Sequence, residues 1–304
     1  MRKRRFQPLR LCLLPLFAFF LAACGEKKET EFVGQDFESW YPHYNDYIRQ
    51  WLARESAEKE GKRKEIDEKL AAADLDAEER EALGEKMRQL DEELARLRFR
   101  QGLGDYFAFH EEADLPEGLT WENGADEPAI GDPEARKGGA YNTFMMSFPP
   151  TITPFGPNSN NGFRGELYDK VELALIDLHP ETARTIPAVA REWAVSEDGR
   201  QVFFRLDEAA TYSDGVPVRA VDFMWFVFLR ASDNVSEPWY KQYFREEIAQ
   251  IALYGESVVA VTLPAAMPRE KMPYFASLRP SPPHFYQDYG PDYAERYQWQ
   301  VPPT

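Results

Sequence analysis

The sequence is short of cysteine and histidine, and it lacks the short motifs that carry most enzyme chemistry. Two cysteines, Cys12 and Cys24, stand among 304 residues. Both lie near the start, so the body that follows has no thiol for a disulfide, a thiolate metal site or a cysteine nucleophile. The four histidines, His43, His110, His179 and His284, have no ligand-like spacing and form no HExxH pair. No GxSxG elbow, Walker A loop or GxGxxG turn occurs. These absences point away from catalysis, from metal and from any cofactor. Positive charge is scarce as well: 36 basic residues face 52 acidic ones, a net of −16. A surface that acidic repels nucleic acid and anionic lipid headgroups, so neither is expected as a surface partner.

What is present is globular. The chain is 43 % hydrophobic and 14 % aromatic, and it is long enough for one or two domains with a core. Its first segment reads as an address. Arg2, Lys3, Arg4 and Arg5 precede Leu11–Ala23, an uncharged run of 13 residues. That length suits the apolar part of a signal peptide and is too short to span a bilayer. The run ends in Leu21-Ala22-Ala23-Cys24-Gly25, which resembles the lipobox of bacterial lipoproteins. The resemblance implies a signal peptide at 1–23, cleaved before Cys24, and a diacylated Cys24 thiol that anchors the protein to a membrane. Each buried methylene of such a lipid contributes about 0.8 kcal/mol. An ordinary signal peptide with an incidental cysteine is the alternative. Removal of residues 1–23 also removes five basic side chains, taking the net charge from −16 to −21.

Residues 24–36 are polar and read as a tether. A charged helical hairpin is expected over 37–110. Phe37, Trp40, Tyr41, Tyr44, Tyr47, Ile48, Trp51 and Leu52 recur at spacings of three and four, one aromatic stripe on a helix. Asp76 with Glu79 reads as a capping box. Leu83, Met87, Leu90, Leu94 and Leu97 then form a heptad seam, which Gly102 and Gly104 close. Two antiparallel helices with a turn near Ala71–Asp76 satisfy both stripes. The hairpin either packs on the body or serves as a spacer or docking arm.

Pro116, Gly118, Gly124, Pro128, Gly131 and Pro133 mark 111–139 as a connector. The main domain is placed at 140–304. Ala140–Ser147 reads as a strand, Pro149–Gly162 as a loop, and Trp193–Leu206 as a hairpin turning at Asp198-Gly199. Trp193, Val195, Val202, Phe204 and Leu206 are its inward positions. Val221–Leu229 is almost wholly apolar, a helix buried on most sides. Val258–Leu263 is a further strand. The Trp239-Tyr240 and Tyr243-Phe244 aromatics read as core.

Five pieces occur in order: Ile186-Pro-Ala-Val-Ala-Arg-Glu-Trp193, Ser196-Glu-Asp-Gly199, Val202-Phe-Phe-Arg-Leu206, Tyr212-Ser-Asp-Gly-Val-Pro-Val218 and Asp222-Phe223. Together they resemble the N-terminal signature of the family 5 extracellular solute-binding proteins, the oligopeptide-binding type. Leu115–Leu119, Glu237–Tyr240, His284–Tyr286 and Glu295–Trp299 look like the branch related to microcin C and oligopeptide importers. The resemblance runs from about Leu115 to the last residue and leaves out the helical hairpin. Three positions depart from the pattern: Arg219 stands where the family has a capping Thr, Ala183 where a turn Gly is usual, and Tyr212 where Trp is common. Ser213-Asp214-Gly215 is then a family turn and not a catalytic fragment. The fold implied is α/β, a periplasmic binding protein type II-like lobe, incomplete, preceded by the N-terminal helical hairpin. The function implied is the substrate-binding component of an ABC importer in the cell envelope, with permease subunits and a peptide or peptide-like ligand as partners. A lipid-anchored structural protein acting through the helical arm is the other reading. Within this chain Ser147, Phe148, Asn158, Asn160 and Asn161 are the expected ligand-lining residues. An asparagine amide offers both donor and acceptor to a peptide bond, although turn chemistry also favours asparagine here.

Overall fold

The computed structural model describes residues 36–71, 75–136, 138–140, 142–156, 158–234 and 238–286. The leader, Cys24, nearly all of the tether and the Glu295–Trp299 motif lie outside the described residues.

The first two elements are long helices, α1 (Phe37–Leu70) and α2 (Ala77–Gly102). Asp36 caps α1 by accepting from Ser39 N at 2.8 Å. The capping box forms as expected at α2: Glu79 N donates to Asp76 Oδ1 at 2.8 Å and Asp76 N to Glu79 Oε2 at 3.2 Å. Gly104 follows in the left-handed region, φ 82°. The helices run antiparallel, since Lys59 pairs with Glu93, Arg63 with Asp91 and Glu60 with Arg98. At 34 residues α1 is about 51 Å long.

The stripe on α1 does not spend itself on α2. Phe37, Trp40, Tyr44, Ile48 and Leu52 are buried in the main core. Phe37 stacks on Trp225 at 5.5 Å and Trp40 lies 5.2 Å from Phe228, ring to ring. The hairpin is therefore part of the body along its near half. Beyond about Ser56 its two helices are joined by half-buried apolar residues, Ile66 beside Leu83 and Leu90, and by surface ion pairs, each of small energetic weight.

The remaining elements, in chain order, are β1 (Phe107–His110), β2 (Trp121–Glu122), α3 (Gly162–Glu166), α4 (Tyr168–Val171), β3 (Ile176–Leu178), β4 (Thr185–Pro187), β5 (Ala190–Val195), β6 (Gln201–Leu206), α5 (Val221–Ala231), α6 (Pro238–Glu247), β7 (Gln250–Tyr254), β8 (Val258–Thr262) and α7 (Met272–Ala276). Six strands form one sheet in the order β1-β7-β8-β6-β5-β2. Only the β1–β7 pair within it is parallel. β3 and β4 make a separate two-stranded ladder. The β5–β6 hairpin turns at Asp198-Gly199, with Gly199 at φ 63°.

Period-two alternation sends Val202, Phe204, Ile251, Leu253, Val259 and Val261 to one face, where α1 and α5 cover them. Phe203, Ala252, Tyr254, Val258 and Ala260 take the other. That face meets Leu115, Leu119 and Trp121, so the stretch expected to be a mere connector lines the sheet's second side. Arg205 joins it, its guanidinium 4.0 Å over the Trp121 ring. Glu127 holds the same stretch to the turn between β3 and β4 through Thr182 Oγ1 at 2.6 Å and Arg184 at 3.4 Å.

Two expectations need correction. Ala140–Ser147 forms no strand in its described residues; it is exposed, with Phe144 at 81 % and Met146 at 94 %. Its sequence has strand propensity, but a strand exists only with a partner for its ladder. Trp239 is 63 % exposed and stacks only along its own helix on Tyr243, while Tyr240 and Phe244 are core as expected.

Candidate functional site

The loop before α3 carries the residues singled out as ligand-lining. Ser147 and Phe148 lie on the exposed run, Phe148 at 83 %. Asn158 is exposed and adopts φ 63°, a conformation asparagine tolerates better than most residues. Asn160 is exposed too. Asn161 is drawn inward and fully used by the loop: Oδ1 accepts from Phe163 N at 2.9 Å and Arg164 N at 3.4 Å. Its Nδ2 donates to Asn158 O at 2.8 Å and Thr151 O at 3.0 Å. Asn161 thus caps α3 and ties Asn158 to Thr151, the turn chemistry that favours this residue. Phe155, 1 % exposed, pins the loop to the core.

Phe155 marks a second constellation that residue patterns alone did not bring together. Arg230 lies near the end of α5 and is only 6 % exposed. Its guanidinium sits 3.7 Å from the Phe226 ring centre, 4.9 Å from Phe155 and 5.9 Å from Tyr240. Nη1 donates to Phe226 O at 3.1 Å and reaches Ser281 Oγ at 3.5 Å. No carboxylate lies within ion-pair distance of it among the described residues. Two further guanidiniums converge there. Arg164, at α3, donates to Tyr240 OH at 2.9 Å, and its Nε is 3.7 Å from Asp169. Arg279 Nη1 is also 3.7 Å from Asp169, while its Nε is buried without a partner among the described residues. Glu172 faces all three. Crowding by the protein raises its pKa, outweighing the pull of Arg230, Arg279 and Arg164. Burial in turn lowers the pKa of Arg230. The signal in the sequence was one arginine at the end of an otherwise apolar run, Val221–Leu229.

The Tyr212–Val218 motif has structural work. Tyr212 OH donates to Asp222 Oδ2 at 2.8 Å, and Arg219 N donates to the same oxygen at 3.0 Å. Helix α5 has no side-chain cap at Ala220, in keeping with Arg219 in the place of Thr. Burial raises the Asp222 pKa against these two bonds. Asp214 accepts from Val216 N at 3.1 Å and meets His284 Nε2 at 2.7 Å, fastening the chain after α7 to the turn. The Val216 amide first, and His284 next, lower the Asp214 pKa. His179 is buried as a loop organiser: Nδ1 accepts from Glu181 N at 3.2 Å and Thr182 N at 3.3 Å, so Nε2–H donates to Pro128 O at 3.0 Å. Among the described residues no group of three His, Cys, Asp or Glu side chains is placed to hold a metal ion, and no helix is long and apolar enough to cross a membrane.

Residues 184–300, just over a third of the chain, match the family model described as bacterial extracellular solute-binding proteins, family 5 Middle. A search of curated proteins finds no match. Among solved structures, the periplasmic oligopeptide-binding protein OppAIV of Borrelia burgdorferi is 20 % identical over 44 % of this chain and 30 % of its own, with a TM-score of 0.35. Haemophilus influenzae OppA in complex with RPPGFSPFR is 16 % identical over 49 % and 32 %, with a TM-score of 0.38. NikZ from Campylobacter jejuni in complex with Ni(L-His) is 22 % identical over 43 % and 26 %, with a TM-score of 0.33. The chain spans less than a third of the length of each of these proteins.

Proposed function

We propose, from the family 5 extracellular solute-binding segment at residues 184–300, that the protein is the substrate-binding component of an ABC importer, takes peptides or peptide-like solutes in the cell envelope, and is anchored through a lipid on Cys24. The family match carries this reading. The motif residues support it by their uses: Asp222, Tyr212 and Asp214 build a scaffold, and none is left as an activated nucleophile or base. The protein on this view binds and releases without catalysis. Ser147, Phe148, Asn158 and Asn160 form the exposed edge that would meet cargo, with Asn161 holding the edge in shape. The membrane is met through the lipid and the permease subunits through the folded body.

Calorimetry of the intact chain against pools of short peptides tests the binding; heat and saturation are expected, and a flat trace against every pool would overturn it. Labelled palmitate in cells tests the anchor: incorporation is expected, and it should vanish in Cys24→Ser. The arm reading keeps one observation in its favour: among the described residues, the ion pairs of the hairpin's far half run only within the hairpin. Replacing residues 57–93 by a short turn should leave peptide binding unchanged; loss of a crosslinked envelope partner in that variant would favour the arm.

A further inference from the structure

We propose that Asn123-Gly124 is a self-modification site, at which the folded protein converts Asn123 into an isoaspartyl or aspartyl residue, while the fold locks the other Asn-Gly pair, Asn161-Gly162, against the same reaction. The inference is independent of the import reading, because the reaction needs only the chain itself and water.

Glycine after asparagine leaves the backbone nitrogen unhindered, since no Cβ blocks its approach to the side-chain amide. The Gly124 nitrogen bonds to Asn123 Cγ, the Cγ–Nδ2 bond breaks, and ammonia leaves with the proton that Gly124 N gives up. Water then opens the five-membered imide at one of its two carbonyls. One opening leaves an aspartate at position 123. The other routes the backbone through the side chain and lengthens it by one methylene. Nothing is oxidised or reduced. The two pairs meet opposite conditions. Asn123 is exposed and its side chain makes one hydrogen bond, Oδ1 accepting from Ala125 N at 3.1 Å. That bond polarises Cγ and meets the negative charge that develops on Oδ1 during the attack. Nδ2, the leaving group, has no acceptor among the described residues, and the Gly124 N–H, the nucleophile, has none either. Asn161 is half-buried and makes four bonds: Oδ1 accepts from Phe163 N and Arg164 N, and Nδ2 donates to Thr151 O and Asn158 O. Ring closure there strips both acceptors from Nδ2 and removes the cap of α3. Each net hydrogen bond lost is worth about fivefold in rate, so three more of them slow Asn161 roughly a hundredfold. The position of the reactive pair gives the reaction a consequence. Gly124 follows β2 directly, at φ 62°, with Thr185 O only 2.9 Å from where a Cβ would be. Its carbonyl accepts from Glu127 N at 3.1 Å, and Glu127 is tied to Thr182 and Arg184. An extra methylene between these anchors and β2 displaces Trp121, which pairs with Ala194 and covers the sheet's second face.

The experiment holds the intact folded protein, and the same protein unfolded in guanidinium chloride, in warm neutral buffer for some weeks. Samples are digested in acid, and mass spectrometry reads the mass gain of deamidation and the split peak that isoaspartate produces. In the unfolded chain both pairs should react at similar rates. In the folded protein Asn123 should still react, and Asn161 should lag it by at least about tenfold, a conservative reading of the three extra bonds. Asn123→Gln needs a larger ring for the same attack, so it should show no gain at position 123 while Asn161 stays slow; circular dichroism confirms its fold. The converted protein, separated by its added negative charge, should lose hydrogen-exchange protection where β2 meets β5. Asn161 reacting as fast as Asn123 in the folded protein would overturn the proposal. So would an intact Asn123 at a time when the unfolded chain has fully reacted. Protection retained at β2 in the isoaspartyl form would refute the displacement of Trp121.

Discussion

The amide of Asn45 does the work of a missing strand. Its Oδ1 accepts from Phe107 N at 2.8 Å and its Nδ2 donates to Phe107 O at 3.2 Å. β1 is an edge strand, paired with β7 on its other side, where Ile251 N donates to Tyr106 O at 2.8 Å. The outward N–H and C=O of Phe107 would otherwise have no partner in a place where the residue is 1 % exposed. Asn45→Leu keeps the branching and the number of heavy atoms and removes both bonds. Two buried backbone groups left unsatisfied cost about 1–3 kcal/mol each, so a loss of roughly 2–6 kcal/mol is expected, less what the leucine gains by burial. Urea unfolding of parent and variant measures it through the midpoint at unchanged slope. Hydrogen exchange of the Phe107 amide supplies the second reading: protected in the parent, fast in the variant. A variant within 0.5 kcal/mol of the parent, with that amide still protected, refutes the reasoning, since some other group must then satisfy the edge.

Other consequences are as direct. Ala183 adopts φ 55°, where a side chain is strained, so Ala183→Gly should stabilise by about 0.5–1 kcal/mol in the same urea assay, after the glycine's greater unfolded freedom is subtracted. Gly124 sits at φ 62° with Thr185 O only 2.9 Å from where a Cβ would be, so Gly124→Ala should destabilise by about 1–3 kcal/mol. Arg100 Nη2 donates to Arg245 O at 2.7 Å and Ile248 O at 3.3 Å, joining α2 to the end of α6; Arg100→Met should cost roughly 2–4 kcal/mol and speed proteolysis of the hairpin before the sheet. The raised pKa of Glu172 sets a pH dependence: the folded protein holds that proton more tightly, so its contribution is full below the unfolded pKa and is lost as pH rises through the folded value. Glu172→Gln should therefore flatten the fall in thermal stability from about pH 4 upward, and an unchanged profile would show that another group causes it.

Much of the lobe was legible because its signals are local and periodic. Asp198-Gly199 makes a tight turn wherever alternating apolar residues flank it, and the β5–β6 hairpin follows. The Asp76–Glu79 box needs only its own four residues, and it forms. The helix at Val221–Ala231 is apolar on nearly every side because α1 and the sheet meet it from different directions. What could not be read depends on pairing across long separations. Strand propensity at Ala140–Ser147 is real, but neither edge of the sheet pairs with its described residues: at β1 Asn45 meets the outward groups of Phe107, and β2 at the other edge is only two residues long. Nothing in the connector's proline and glycine spacing reveals that Leu115, Leu119 and Trp121 must cover Phe203 and Ala260, because the need for a cover is set by strands far along the chain.

The arginine cluster shows the same limit most sharply. Arg164 and Arg279 are unremarkable one at a time, and Arg230 is marked only by the apolar run that it closes. Their chemistry comes from the fold: α5 buries Arg230 among rings, and the chain after α7 returns to set Arg279 opposite Arg164 across Asp169. Burial and close approach of these side chains arise only in three dimensions, from three separate segments of the chain, and no window of the sequence shows them.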